Sequence, residues 1–215
     1  MDTVSNNSVL QQFHATYGYP ATGVWAAPGR VNLIGEHTDY NGGLCLPVAL
    51  EQRTLVAVAL RSDGVVRVHS RQSAETYTGP LGDIATGWAA YPTAVLWSLA
   101  RRGLPIEGID LAVDSSVPVG AGLSSSAALT CSVALAVNEL HDSPFARDEL
   151  VQVCIQAEND GIGAPTGGMD QTIALFAQPS TALLLDCLDG STEPIPFELH
   201  GAGYELIVID TRVKH

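Results

Sequence analysis

The chain has 215 residues, 46% of them hydrophobic and 15% charged, with a mean hydropathy of +0.18. That composition builds one large domain or a small pair around a sizeable core, and it excludes a disordered chain. With 23 acidic residues against 10 basic, the net charge is -13, which repels a phosphate backbone and excludes nucleic acid as the expected partner.

The first residues, Met1-Asp-Thr-Val-Ser-Asn-Asn-Ser, lack the basic start and apolar run of a signal peptide. Leu55 to Leu60 is the longest apolar stretch, far short of the ~20 residues that span a bilayer. Cys45, Cys131, Cys154 and Cys187 form no C-x-x-C pair, so buried free thiols in a reducing cytosol are expected. The expectation is a cytoplasmic protein without a membrane partner.

Val9 to Tyr17 reads as a short helix stopped by Gly18 and Pro20. Val24 to Ala27 reads as a strand broken by Pro28-Gly29, followed by a polar loop from Arg30 to Gly43. Thr54 to Leu60 and Val65 to His69 read as a hairpin with Asp63-Gly64 at its turn. Trp88 to Arg102 has helical spacing and stops at Gly103. Ile109 to Val113 reads as a strand, and Ser124 to Leu140 as the strongest helix. Pro144 is expected to open a helix running to about Glu158. A short helix from Met169 to Ala177 and strands at Ala182 to Leu185 and Glu205 to Ile209 complete the chain. Strands and helices mix without strict alternation, so the expected class is α+β: a mixed, mainly antiparallel sheet packed by helices.

Three loops carry chemistry. Pro28 to Gly43 packs Arg30, Asn32, Glu36, His37, Thr38, Asp39, Tyr40 and Asn41 between breakers. Such a set suits a polyhydroxylated ligand, because carboxylates accept hydrogen bonds from hydroxyls. The plain alternative is a solvated surface loop. Glu36 and Asp39 lie too close in sequence for a usual glycosidase pair, and no H-E-x-x-H or H-x-x-x-H places His37 as a metal ligand.

The second loop, Pro118-Val-Gly-Ala-Gly-Leu-Ser-Ser-Ser-Ala-Ala128, runs a glycine turn into a helix. Helix N-termini offer free N–H groups and positive dipole ends, glycines admit a phosphate, and serine hydroxyls bind phosphate or Mg²⁺. An ordinary serine N-cap is the plain alternative. The pattern is not a P-loop. The third loop, Glu158 to Gln171, leads through Gly167-Gly168 to Asp170 just inside a helix, where an acidic residue also serves as a simple helix start.

In this order the three loops resemble the galactokinases of the GHMP small-molecule kinase superfamily. The segment Gly29-Arg-Val-Asn-Leu-Ile-Gly-Glu-His-Thr-Asp-Tyr-Asn-Gly-Gly43 is similar to the galactokinase signature. Gly122-Leu-Ser-Ser-Ser-Ala-Ala128 is similar to the ATP-phosphate loop, and Gly167-Gly-Met-Asp-Gln171 to the catalytic-aspartate segment. The resemblance implies a ribosomal-S5-domain-2-like half of a GHMP kinase. It also implies phosphorylation of D-galactose by ATP at the anomeric hydroxyl, giving galactose 1-phosphate.

By that resemblance Asp170 would be the catalytic carboxylate, with Arg30 beside it stabilising negative charge. Glu36, His37, Asp39 and the Gly167 backbone would hold sugar hydroxyls. Gly120, Gly122, Ser124, Ser125 and Ser126 would hold the triphosphate, Trp88 would lie near the adenine, and Ser126 and Glu158 would lie near Mg²⁺. Gly161 and Thr166 depart from the family, which often has a bulky residue and Cys there. The family also continues into a second domain beyond this length, which would pack on this one. Lys214-His215 falls at its basic motif after the domain junction. The expectation is therefore an incomplete kinase, with a non-catalytic galactose and ATP sensor or an inactive fragment as alternatives.

Overall fold

The computed structural model describes residues 4–73, 75–199 and 201–209, so Lys214 and His215 lie outside the described residues. In chain order the elements are α1 (Asn6–Tyr17), β1 (Gly23–Asn32), β2 (Leu44–Cys45), β3 (Pro47–Leu60), β4 (Val65–Ser70) and β5 (Tyr77–Pro80). Then come α2 (Ala90–Arg101), β6 (Ile109–Ser115), α3 (Ser125–Leu140), α4 (Arg147–Gln156), α5 (Met169–Phe176), β7 (Thr181–Asp186) and β8 (Thr192–Pro196). Short 3-10 turns cover Asp39–Asn41 and Gly87–Ala89, and a π-helical turn at Ala157–Ile162 extends α4.

The α+β expectation holds. One 8-stranded sheet runs β2-β7-β3-β6-β4-β5, with β1 also on β3 and β8 on β7. Among the described residues only the β4–β6 pairing is parallel. Strand β3 is the hub. It pairs with β1 along its length, with β6 through Thr54–Leu60, and with β7 at Val48.

Period-two alternation assigns the two faces of this centre. Val56 and Val58 of β3, with Ile109, Leu111 and Val113 of β6, face the main core under α2, α3 and α4. Leu55, Ala57, Ala59 and Ala112 face the other way, against Val9 and Phe13 of α1. A centre covered on both sides reads as a continuous apolar run, which is what Leu55 to Leu60 is.

Four local expectations are corrected. Strand β1 does not break at Pro28-Gly29; it runs on to Asn32 with a bulge between Pro28 and Arg30. Proline is tolerated because β1 pairs on one side only and bulges there. The expected β3–β4 hairpin does not form, since β6 lies between the two strands and pairs with both. The Asp63-Gly64 turn is held instead by Gly64 N–H to Glu107 O at 2.7 Å and Arg61 N–H to Gly108 O at 2.9 Å.

Helix α4 opens at Arg147 rather than at Pro144. The Asn138 side chain holds Phe145 through both its N–H and its carbonyl, while Asp142 and Ser143 adopt positive φ. Those contacts keep this segment out of a helix. The segment 205–209 is not a strand. It forms no ladder with the sheet, and Ile207 and Ile209 are exposed; a cavity separates this segment from residues 48–53 of β3.

Beneath α1 the sheet carries a charged cluster that composition does not announce. Asp110 on β6 is fully buried. It accepts hydrogen bonds from Arg67 Nε at 2.7 Å, from Arg61 Nη1 at 3.1 Å and from the Tyr19 hydroxyl. Arg67 also lies 4.7 Å over the Tyr17 ring, whose hydroxyl bonds Leu111 O at 2.7 Å. Burial alone would raise the Asp110 carboxyl, but its bonds from Arg67, Tyr19 and Arg61 outweigh that and hold it below the usual range. A carboxyl so lowered contributes stability above the ordinary carboxylate range and loses it as pH falls through its own value. Asp110→Asn is expected to cost about 3 kcal/mol in urea denaturation at neutral pH, and to flatten the acid limb below about pH 4.

Candidate functional site

The β1 bulge is where the site begins. A side chain at Gly29 would bring its Cβ to 2.7 Å from Leu123 O, so only glycine lets the loop before α3 sit on the strand. Arg30 N–H then bonds Leu123 O at 3.2 Å, and Arg30 Nη1 donates to Gly122 O at 2.5 Å. Its Nε pairs with Asp170 Oδ1 at 2.7 Å, with the two side chains only 15% and 23% exposed. One arginine thus ties the strand, the glycine turn and the start of α5 together.

Gly120 and Gly122 have φ of 74° and 72°, and a Cβ at either would meet nothing within 4 Å. Glycine serves the left-handed backbone there, and the space outside the loop is open. Ser124 also sits in the left-handed region, at φ 59°, and makes no capping bond. Its hydroxyl donates instead to Asp170 Oδ2. The plain N-cap alternative therefore fails for Ser124. Both oxygens of Asp170 are engaged, one by Arg30 and the other by Ser124. Ser125 and Ser126 form the first turn of α3, where amide N–H groups point out of the helix end.

Ser126 lies near Glu158, which sits in the π-helical turn after α4 and is 5% exposed. Gln171 Nε2 at 2.9 Å and Thr130 Oγ1 at 3.2 Å both donate to Glu158 Oε1. Burial raises the Glu158 carboxyl to about 6 against these hydrogen bonds, and the charge of Asp170 adds to the rise. No Lys or Arg pairs with it among the described residues. A buried carboxylate without a cation, beside a serine hydroxyl, fits a hard divalent ion such as Mg²⁺. No group of three or more His, Cys, Asp or Glu side chains forms a metal cage among the described residues. Such an ion would lean on ligand phosphates for its remaining contacts.

The polar loop closes over this floor. Gly167 abuts it so tightly that a Cβ there would lie 2.4 Å from the backbone of Asp39 and Tyr40. That contact brings the Asp39 turn onto the segment that carries Asp170. His37 holds φ 61°, bonds the Tyr40 hydroxyl through Nδ1 at 2.6 Å, and accepts Asn41 Nδ2 on its carbonyl at 2.8 Å. Glu36 and His37 are exposed and Asp39 is half-buried. Both side-chain polar atoms of Asn32, at the end of β1, are buried without a protein partner.

Trp88 lies half-buried on the 3-10 turn before α2 and packs against the main core. Burial, then the Glu158 charge, raises the hydroxyl of nearby Tyr91, which puts the start of α2 on the Glu158 side of the site. The two departures noted above are accommodated. A Cβ at Gly161 would meet Ala94 Cβ at 2.9 Å, and Thr166 is clasped by Asn159 through its N–H and carbonyl. Sequence reading missed Ser124 as the partner of Asp170, and missed Thr130 and Gln171 as the holders of Glu158. A cavity of about 860 Å³ between β3 and the segment 197–208 holds none of these residues.

Two outcomes follow from this geometry. Gly167→Ala should cost about 2 kcal/mol in urea denaturation by forcing the Asp39 turn off the Asp170 segment. Because the Glu158 carboxyl is raised, its protonated form favours the fold, and stability falls as pH rises through about 6. Glu158→Gln should remove that loss, worth on the order of 2 kcal/mol between pH 4.5 and 8 without added metal.

Two family models match the chain over more than half its length: "Galactokinase galactose-binding signature" at residues 11–60 and "GHMP kinases N terminal domain" at residues 90–178. A galactokinase of Streptomyces coelicolor is 47% identical over 97% of this chain and 55% of its own length. One from Mycobacterium tuberculosis is 41% identical over 89% of this chain and 53% of its own. The chain thus spans about half the length of the curated relatives it matches. The structure of Lactococcus lactis galactokinase complexed with galactose superposes with a TM-score of 0.83 at 33% identity, covering 90% of this chain and 52% of that one. Methanococcus jannaschii mevalonate kinase, at 18% identity and a TM-score of 0.69, shares the fold over 83% of this chain and 57% of its own. By these matches the chain belongs to the galactokinase family, within the GHMP kinases.

Proposed function

We propose that this chain carries the sugar- and phosphate-binding half of an enzyme that transfers the γ-phosphoryl group of ATP to the anomeric hydroxyl of D-galactose. The observation that carries the reading is the Arg30–Asp170–Ser124 constellation, set where the sugar loop, the glycine turn and the α5 start converge. Phosphoryl transfer asks for in-line positioning and neutralised charge more than for covalent chemistry. The parts present are of that kind.

Glu36, His37, Asp39 and the Gly167 backbone hold sugar hydroxyls in this reading. Gly120, Gly122, Ser125 and Ser126 cradle the triphosphate, and Trp88 lies toward the adenine. Asp170 receives the hydroxyl proton as the sugar oxygen bonds to the γ-phosphorus and ADP departs. Each Asp170 oxygen keeps a further lone pair for that purpose. Arg30 and Ser124 fix the carboxylate, so Asp170 acts through orientation and late proton capture. Ser126 and Glu158 would hold Mg²⁺, which would supply charge neutralisation on the phosphates. The setting is cytoplasmic, where ATP is available; no helix among the described residues is long and apolar enough to cross a membrane.

The test joins this chain to the remaining length of the Streptomyces coelicolor relative and measures ADP release with Mg-ATP across a panel of hexoses. Galactose-dependent release, lowered about 10²- to 10⁴-fold by Asp170→Asn, is the expected result. Binding of galactose without ADP release would replace the kinase with a sugar sensor, and preference for another hexose would reassign the substrate. The chain on its own is expected to show little or no turnover, since a half-open cleft leaves the bound ligand solvated and water weakens its charge contacts. Exposed Ile34, Val119, Leu188, Ile207 and Ile209 should drive concentration-dependent association of the isolated chain, read by sedimentation velocity.

A further inference from the structure

Two cysteines that the mechanism does not use lie under the sugar loop. Cys45 ends β2 and Cys187 follows β7, and their Sγ atoms are 3.6 Å apart. Strand pairing fixes the approach. Cys45 lies opposite Leu185, and Cys187 N–H bonds Gly43 O at 3.1 Å, so the two residues are diagonal neighbours on adjoining strands. They share a small cluster with Met169 and Leu185 beneath the Asp170 segment. Cys45 is 1% exposed, whereas Cys187 is only partly buried and presents some surface to a reagent. The other two cysteines, Cys131 and Cys154, are near each other but lie in the main core with no exposed surface.

The sugar loop is built on this spot. A Cβ at Gly35 would meet Cys45 Cα at 2.7 Å, and Thr38 Oγ1 donates to Leu44 O at 2.9 Å. The foot of the 33–43 loop is thus the backbone of Leu44 and Cys45. A bond from Cys45 to Cys187 would fasten that foot to β7.

We propose that Cys45 and Cys187 form a modification site, a vicinal dithiol that a low-molecular-weight disulfide closes to an intrachain disulfide at the base of the 33–43 loop. The chemistry balances with glutathione disulfide as oxidant. The Cys187 thiolate attacks one glutathione sulfur, and a glutathione thiolate leaves. The Cys45 thiolate then attacks Cys187 Sγ and expels the second. Two cysteine thiols are oxidised, one glutathione disulfide is reduced, and the two protons end on two glutathiones. Burial, with Asp39 and Asp170 facing Cys45 and Asp39 and Asp186 facing Cys187, pushes both thiols up. Closure is therefore slow at neutral pH and quickens as pH rises.

The experiment incubates the folded chain with excess glutathione disulfide at pH 7 and pH 9, then alkylates under denaturing conditions and maps peptides without reduction. Loss of two of the four thiols is expected. A single intrachain cross-link should join the Cys45 and Cys187 peptides, form several-fold faster at pH 9, and reverse with dithiothreitol. In Cys187→Ser, checked for folding by circular dichroism, no intrachain link should form. Retention of all four thiols, arrest at a mixed disulfide on Cys187, an interchain link, or a link through Cys131 or Cys154 would each overturn the proposal. Chymotryptic cleavage after Tyr40 should slow in the oxidised chain, and equal rates in both forms would refute the coupling to the loop.

Discussion

The ion pair between Arg30 and Asp170 joins residues 140 apart in sequence, and the candidate site depends on it. Its geometry is prepared on both sides. The bulge after Pro28 turns Arg30 toward the loop before α3, and Gly29 leaves room for that loop to rest on the strand. Gly168, in the left-handed region, starts α5 so that Asp170 falls in its first turn. Breaking the pair would leave a largely buried arginine and a largely buried aspartate unmatched, which costs more than the pair itself contributes. Such a contact is better understood as fixing relative position than as stabilising the fold.

A second carboxylate stands behind it in a different electrostatic condition. Asp170 has a cation and a hydroxyl as partners, whereas Glu158 has only neutral donors and deep burial. The burial is what raises Glu158 to about 6. Two acidic groups in one site therefore differ in electrostatic condition through their surroundings alone, and the proposed function gives one a substrate hydroxyl and the other a cation to meet. On the opposite face of the sheet, Asp110 shows the third arrangement, full burial with two arginines and a tyrosine, and there the charge holds Tyr19, just past α1, to the strands.

Much of this was legible in the residues. The helices at α1, α2, α3 and α5 follow from apolar spacing and from stops at Gly18 and Gly103. The three chemical loops follow from breakers set among polar groups. What failed were pairings. Asp63-Gly64 is a sound local turn signal, yet β6 enters between the strands it joins, and no local rule sees a strand that arrives 40 or so residues later. Glu205 to Ile209 has strand composition, but a strand needs a backbone partner at pairing distance, and composition does not supply one. For Ser124 the residues offered a phosphate contact or, as the plain alternative, an N-cap, and only the position of Asp170 shows where its hydroxyl goes.

By itself the sequence determined the fold class and the family and set out the candidate side chains of each loop, because glycines, serines and carboxylates at fixed spacing are local facts. The tertiary structure decided which of them meet. It placed Gly167 against Asp39, Ser126 against Glu158, Ser124 and Arg30 on the two oxygens of Asp170, and Cys45 beside Cys187. Those contacts span long stretches of chain and are set by sheet order and helix packing. They belong to the folded whole, where burial and neighbouring charge give each carboxylate and each thiol its chemistry.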